Sequence, residues 1–449
     1  MRTPFRNVDA SWLRMDDPTN LMVVTGVLVL GAPVPVERIR ELVEDRLLRF
    51  RRFRSRVVPP FAGVGLPSWE PDPDFDLDRH LTVVRLGPEA GEGELQELVS
   101  GLLSVPLPAD HPLWSLHLVD GYRGGLAIVA RIHHCIGDGL ALVHVLLSMA
   151  DGAAPPERRS RSRRASWGAS WGITAGKRVL EGAAGVLGHP GRIGDLARLA
   201  SGSAGSLLGL LALPDDPPTA LKGTLGVAKR AAWSRPIPLD EVKAIGKATG
   251  STVNDVLMAG LAGALRRSLV ARGQAPRDLD VRGVVPVNLR RPEAAGRLGN
   301  SFGLVFLALP VGIEDPLDRL FEVRRRMRAL KDSPQAVAVY QVLWAMGVAP
   351  KPVFDLALRI FAAKGTAVVT NVIGPRQPIS IAGSPLTEAM FWVPSAGRLA
   401  LGVSLLSYAG QVWLGLQCDP EVIPDPGGVL AGFDEELAAL AELRRLAGT

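Results

Sequence analysis

The chain has 449 residues, of which 47% are hydrophobic and 21% charged, and its net charge is +6. The length exceeds one ordinary core and suits about two domains, and the composition excludes a mainly disordered chain. Five arginines, Arg158, Arg159, Arg161, Arg163 and Arg164, carry nearly all of the basic excess, which argues against a nucleic-acid partner.

The N-terminal stretch MRTPFRNVDASWLRMDD lacks the apolar core and small-residue cleavage site of a secretory signal. No segment reaches the roughly 18 uninterrupted apolar residues of a spanning helix. The nearest, LASGSAGSLLGLLAL at 199–213, is diluted by Gly and Ser. A cytoplasmic protein is expected, with peripheral attachment to the inner face of a membrane or to lipid inclusions left open.

The first block, residues 1–152, reads as a lobe of its own. NLMVVTGVLVL at 20–30 is a buried strand by its β-branched content. VERIRELVEDRLLRF follows as a helix with Val36, Ile39, Leu42, Val43 and Leu47 on one side, and a second amphipathic helix is expected over 94–103. The strands WSLHLVDG and GLAIVARI are joined by a turn at 122–124, and the second runs directly into HHCIGDG and the apolar helix LALVHVLLSMA. The motif therefore lies on a strand-to-helix connection, where side chains can be aimed into a cleft.

Residues 153–223 change character, from PPERRSRSRRASWGASWG to LALPDDPP, and read as an interdomain crossover. Its arginines beside Trp167 and Trp171 suit either an anionic lipid surface or a solvated linker.

The second lobe is expected over 224–449. STVNDVLMAGLAGALRRSL is a helix capped by Ser251 or Thr252. VRGVVPVNLR and GLVFLALPV read as strands, followed by helices over 316–331 and 337–363. TAVVTNVIG, QPISIAG, RLALGVSLLSYAG and QVWLGLQC alternate with turns as further strands, and a helix closes the chain over 428–446. The class is α/β, with much sheet in each half.

His133, His134, Asp138 and Gly139 form HHxxxDG. A neutral imidazole can take the proton of an alcohol as it attacks a carbonyl, and burial keeps the ring uncharged and available. Asp138 can hold the loop by pairing with a distant arginine, and Gly139 permits a tight turn into the next helix. Neighbouring strand residues point to opposite faces, so only one histidine is expected to line the cleft, and a shared metal ion is not. The two cysteines, Cys135 and Cys418, define neither a disulfide framework nor a ligand spacing. No GxSxG nucleophile elbow, P-loop or dinucleotide fingerprint occurs, so no bound nucleotide cofactor is expected.

HHCIGDG resembles the active-site motif of the chloramphenicol acetyltransferase and condensation-domain superfamily. DASWLRMDDPTNLM, PLWSLHLVDG, TVNDVLMAGLAGALRR, VVPVNLR, GNSFG and TNVIGPRQPISIAG narrow the resemblance to the bacterial wax ester synthase/diacylglycerol acyltransferase family, in that family's order and over nearly the whole chain except the crossover. The resemblance implies a two-lobed chloramphenicol-acetyltransferase-like fold with the catalytic histidine between the lobes. It implies acyl-CoA as a co-substrate, with no resident cofactor, and diacylglycerol or a long-chain alcohol as acceptor. His134, the motif's second histidine, is then the general base. Asn254 and Asp255 match the family's ND pair; on a plain reading they are helix-start residues that cap locally. Direct transfer without an acyl-enzyme follows, with Asn254 a candidate oxyanion donor and Arg290, then Arg291, the candidate partner of Asp138. The rival readings are a related enzyme that takes acyl groups from a carrier protein for another alcohol or amine, and a catalytically silent lipid-surface protein.

Overall fold

The computed structural model describes residues 2–60, 65–87, 90–153, 212–290, 298–331, 333–395, 397 and 399–447. Arg291, the arginine run, Trp167, Trp171 and most of the expected crossover lie outside them.

In chain order the first part contains β1 (Thr3–Pro4), α1 (Asn7–Arg14), β2 (Val23–Leu30), α2 (Val36–Asp45), β3 (Ser55–Val58), β4 (Ser68–Pro71), β5 (Leu81–Arg85), α3 (Glu92–Leu103), β6 (Trp114–Asp120), β7 (Leu126–His133) and α4 (Gly139–Ser148). After the crossover come β8 (Arg230–Trp233), β9 (Ile237–Pro238), α5 (Leu239–Thr249), α6 (Val253–Ala271), β10 (Val281–Asn288), β11 (Phe302–Leu309) and α7 (Pro316–Lys331). The chain continues through α8 (Gln335–Met346), α9 (Lys351–Ala363), β12 (Ala367–Ile373), β13 (Ser380–Ile381), β14 (Ser384–Trp392), β15 (Leu401–Tyr408), β16 (Gln411–Cys418) and α10 (Pro426–Ala447).

Two large mixed sheets result, one ordered β13-β14-β2-β7-β6-β5 and the other β11-β10-β12-β15-β16-β8, with β9 also on β16; a small β1-β4-β3 sheet stands beside them. β2 and β7 are apolar along nearly their whole length because both faces of the first sheet are covered. Ile39 and Val43 of α2, Leu95 and Val99 of α3 and Val145 of α4 join Val27, Val29, Ile128 and Val129 in one core. The second core is built on α6, whose Val256, Leu261 and Leu265 meet Val403, Leu405 and Leu414 of the second sheet.

The two halves interlock. β14, late in the chain, pairs antiparallel with β2, Met390 opposite Val27, so a segment of the second half completes the first sheet. The sequence reading missed this strand and placed QPISIAG, which contains β13, in the second lobe. SPLTEAMFW mixes Pro, Thr and Glu into an apolar run, and its place is set by a partner more than 350 positions away rather than by its own pattern. The helix expected over 337–363 is two helices. α8 ends at Met346 and α9 restarts with proline in its first turn, where the missing N–H costs nothing. α1, unassigned from sequence, packs on α8 through Ser11, whose hydroxyl donates to the Leu343 carbonyl. Gly347 lies so close to α1 that a Cβ there would sit 2.0 Å from the Asn7 carbonyl oxygen.

Candidate active site

β7 delivers the HHxxxDG motif to the junction between the sheets. Its last residue, His133, stands opposite Val23 of β2, and the His134 N–H donates to the Met22 carbonyl at 2.7 Å. One step on, Gly137 pairs with Gly299 just ahead of β11, which ties the motif to the second half of the chain.

The two histidines diverge. His133 is buried, its Nδ1 accepts the Cys135 N–H at 3.1 Å, and its Nε2 lies 3.8 Å from an Asp16 carboxylate oxygen. His134 is 7% exposed and its ring stacks on the Trp12 indole, 4.3 Å between centroids and 19° from parallel. Phe302 closes the niche at 5.6 Å. Nδ1 of His134 lies 2.9 Å from Asn300 Oδ1, while Nε2 makes no hydrogen bond to a described residue. Burial among these rings disfavours the imidazolium and lowers the His134 pKa to about 4, so the ring is neutral at pH 7.

Asp138 is the N-cap of α4, its Oδ1 accepting the Ala141 N–H at 2.9 Å. Its Oδ2 accepts from Arg290 Nη2 at 2.6 Å and from the Ser301 N–H at 3.0 Å. Both side chains are almost fully buried, and Arg290 also donates to the Gly299 carbonyl. Arg290, the first of the two arginines expected for Asp138, stands there; Arg291 lies outside the described residues. The carboxylate thereby fastens the start of α4 to the strand that follows Gly299. Gly139 does not have the role expected of it: its backbone is outside the left-handed region, and a Cβ would meet Val372 at an ordinary 3.8 Å, so the turn does not require glycine. Gly299 does require it, with φ +112°.

Asp255 completes a capping box at the start of α6: its Oδ2 accepts the Thr252 N–H at 2.8 Å while Thr252 Oγ1 accepts the Asp255 N–H. Thr252, not Ser251, is the cap. Asn254 accepts from Asn371 Nδ2 at 2.8 Å. Val372, the next residue of β12, faces Gly139, which brings the Asn254 pair to the neighbourhood of the motif without a hydrogen bond to His134 among the described residues.

Several residues that surround His134 were not singled out from sequence. Asn300 Nδ2 donates to Asp9 Oδ1 and to the His134 carbonyl, each at 2.9 Å, and the Asn300 N–H donates to the same Asp9 oxygen. Arg52 Nη2 donates to Asp9 Oδ2 at 2.7 Å, and Arg52 Nη1 donates to the carbonyls of Cys135 and Ile136. The only sequence signal was that Asp9 and Trp12 lie in DASWLRMDD, and Asn300 and Phe302 in GNSFG. Cys135 and Cys418 are buried, and burial pushes the Cys418 thiol up to about 12. Among the described residues no three His, Cys, Asp or Glu side chains gather as a metal set. The arrangement is a neutral imidazole held in an aromatic niche, suited to moving a proton.

Residues 5–257 match the family described as "Wax ester synthase/diacylglycerol acyltransferase catalytic domain", and residues 298–441 match "WS/DGAT C-terminal domain". The chain belongs to the wax ester synthase/diacylglycerol acyltransferase family. It is an acyltransferase. Among relatives, a Mycobacterium tuberculosis protein named "Probable diacyglycerol O-acyltransferase tgs1" is 28% identical over 98% of this chain and 96% of its own length. Among solved structures, a wax ester synthase/diacylglycerol acyltransferase from Marinobacter aquaeolei VT8 aligns over all of both chains with a TM-score of 0.69 at 22% identity. The first condensation domain of the calcium-dependent antibiotic synthetase aligns over 99% of this chain and 96% of its own, with a TM-score of 0.64 at 19% identity. The fold is therefore the two-lobed condensation-domain type that the motif suggested. No helix among the described residues is long and apolar enough to cross a membrane.

Proposed function

We propose that the protein transfers a fatty acyl group from acyl-CoA to the hydroxyl of diacylglycerol or of a long-chain alcohol, with His134 as the general base. The observation that carries this reading is the neutral, nearly buried imidazole of His134 stacked on Trp12 at the junction of the sheets. The relatives named diacylglycerol O-acyltransferases support diacylglycerol as one acceptor, and the family's name supports a wax alcohol as the other.

In this mechanism Nε2 of His134 removes the hydroxyl proton as the oxygen attacks the thioester carbon. The carbonyl oxygen takes up the negative charge, and a hydrogen-bond donor aimed at it lowers the barrier; the Asn254 amide, anchored through Asn371, is the candidate. The tetrahedral adduct collapses with cleavage of the carbon–sulfur bond, and His134 returns the proton to the departing thiolate. The acyl group never bonds to the protein. Asp138 acts at a distance by holding the loop through Arg290.

The test is to incubate the purified protein with labelled palmitoyl-CoA and either diacylglycerol or hexadecanol, and to identify the ester. Triacylglycerol or wax ester is expected. Activity with a palmitoyl carrier protein alone would overturn the choice of donor, and vesicle binding without transfer to either acceptor would favour a silent lipid-surface protein.

A further inference from the structure

Neutral imidazole exists in two tautomers, and only the one with the proton on Nδ1 leaves a lone pair on Nε2. In many histidine-based sites a carboxylate accepts the Nδ1 proton directly. Among the described residues no carboxylate touches His134 Nδ1; beside it stand Asn300 Oδ1, at 2.9 Å, and the residue's own backbone carbonyl.

The orientation of that carboxamide follows from its other partners. Asn300 Nδ2 faces Asp9 Oδ1 and the His134 carbonyl, both at 2.9 Å. A carboxylate and a carbonyl only accept, so the NH2 group must face them and the oxygen must face the ring. The carboxamide oxygen also only accepts, so His134 Nδ1 must carry the proton. Asp9 has no exposed surface and Asn300 is 1% exposed, so water cannot substitute for any of these bonds. Arg52 sets the orientation of Asp9 by donating to its second oxygen at 2.7 Å, and it holds the backbone just after His134 through the carbonyls of Cys135 and Ile136. Gly299 permits the approach: a Cβ there would stand 3.4 Å from both Asp9 Oδ2 and Arg52 Nη2, on a φ that L side chains rarely adopt.

We propose that Asp9 and Asn300 form a positioning relay that fixes His134 in the Nδ1–H tautomer and so presents the bare Nε2 to the acceptor hydroxyl. Asn300 passes the acceptor character of the buried carboxylate to the imidazole without placing a negative charge against it. The relay joins residues 9, 134 and 300, so the base is correctly set only when both lobes are assembled. Asp9 and Asn300 act through His134 and touch no substrate. The proposal rests on His134 being the base.

Two measurements test it. In 15N spectra of the histidine-labelled wild-type protein at pH 7, with the His134 signals assigned by their loss in His134→Ala, Nδ1 is expected to be protonated and Nε2 bare. A proton on Nε2 would overturn the relay without any further variant. In Asn300→Ala, kcat is expected to fall, by up to the roughly 10⁴-fold seen when a triad histidine is held in the wrong tautomer, with KM changed less than about threefold and the Nε2–H form appearing in the spectrum. Asp9→Asn, nearly isosteric, is expected to lower kcat in the same sense and to populate the same second tautomer. Wild-type kcat together with an unchanged tautomer in both variants would sink the relay while leaving the base assignment intact. Wild-type turnover in His134→Ala would instead remove the base assignment itself.

Discussion

Replacing Asp138 by alanine removes the acceptor of three hydrogen bonds at once: those from Ala141 N–H at 2.9 Å, Arg290 Nη2 at 2.6 Å and Ser301 N–H at 3.0 Å. Arg290 and Asp138 are only 4% and 7% exposed, so solvent screening does little to soften the loss. An uncompensated charge left by breaking such a buried pair costs about 3–5 kcal/mol, and the lost helix cap adds about 1 kcal/mol. These terms share one side chain and are not additive, so Asp138→Ala is expected to lose about 4–5 kcal/mol, read as a lower urea midpoint at unchanged slope. The cycle with Arg290→Met separates the ion pair from the cap. Removing both charges together takes away the stranded guanidinium, and the double variant should be about 2 kcal/mol more stable than Asp138→Ala alone. A loss below about 1 kcal/mol in Asp138→Ala, or a double variant as unstable as the sum of the singles, would refute the assignment of Asp138 as the anchor of the motif loop.

Because burial holds the His134 pKa at about 4, the base stays unprotonated from neutrality to about pH 5, and kcat/KM should fall tenfold per unit only below about pH 4; an acid limb near pH 6.5 contradicts the buried setting. The same shift lowers stability as pH drops. The unfolded chain binds the proton near pH 6.5 and the folded one only near pH 4, so up to about 3 kcal/mol is lost across that window, and a His134→Phe variant should lack this contribution when urea titrations are compared at pH 7 and pH 4.5. Gly347→Ala places a methyl group 2.0 Å from the Asn7 carbonyl. Pushing α1 off α8 also moves Trp12 from His134, so activity should fall by more than about tenfold, and a wild-type rate would show that the stacking is dispensable. Cys135→Ala should keep turnover within about threefold of wild type, because no step forms a bond to the Cys135 sulfur; loss of activity with an intact fold and acyl label trapped on the wild-type thiol would reverse that conclusion.

The strand-to-helix setting of the motif was legible because two local signals coincide. The apolar run of β7 stops at His133, and Asp138 stands where an N-cap belongs, ahead of the apolar α4. The two-lobed fold came from the order of the quoted segments rather than from periodicity. What stayed hidden depends on partners far away in the chain. α1 is eight residues long, too short to persist alone, and exists because Ser11 and Trp12 have α8 and His134 to pack on. β14 carries no clean alternation and is recruited by β2. Asn300 sits 166 positions from His134 and 291 from Asp9, and an asparagine before a strand announces nothing by itself. Gly139 shows the opposite failure, a turn glycine whose conformational freedom the fold does not use.

The imidazole of His134 is the group proposed to take the acceptor's proton. The most direct measurement compares wild type with His134→Ala in ester formation from palmitoyl-CoA, with near-ultraviolet circular dichroism confirming that both are folded. Ester is expected from the wild type and a rate about 10²–10⁴-fold lower from the folded variant. Comparable rates from the two proteins would contradict that assignment.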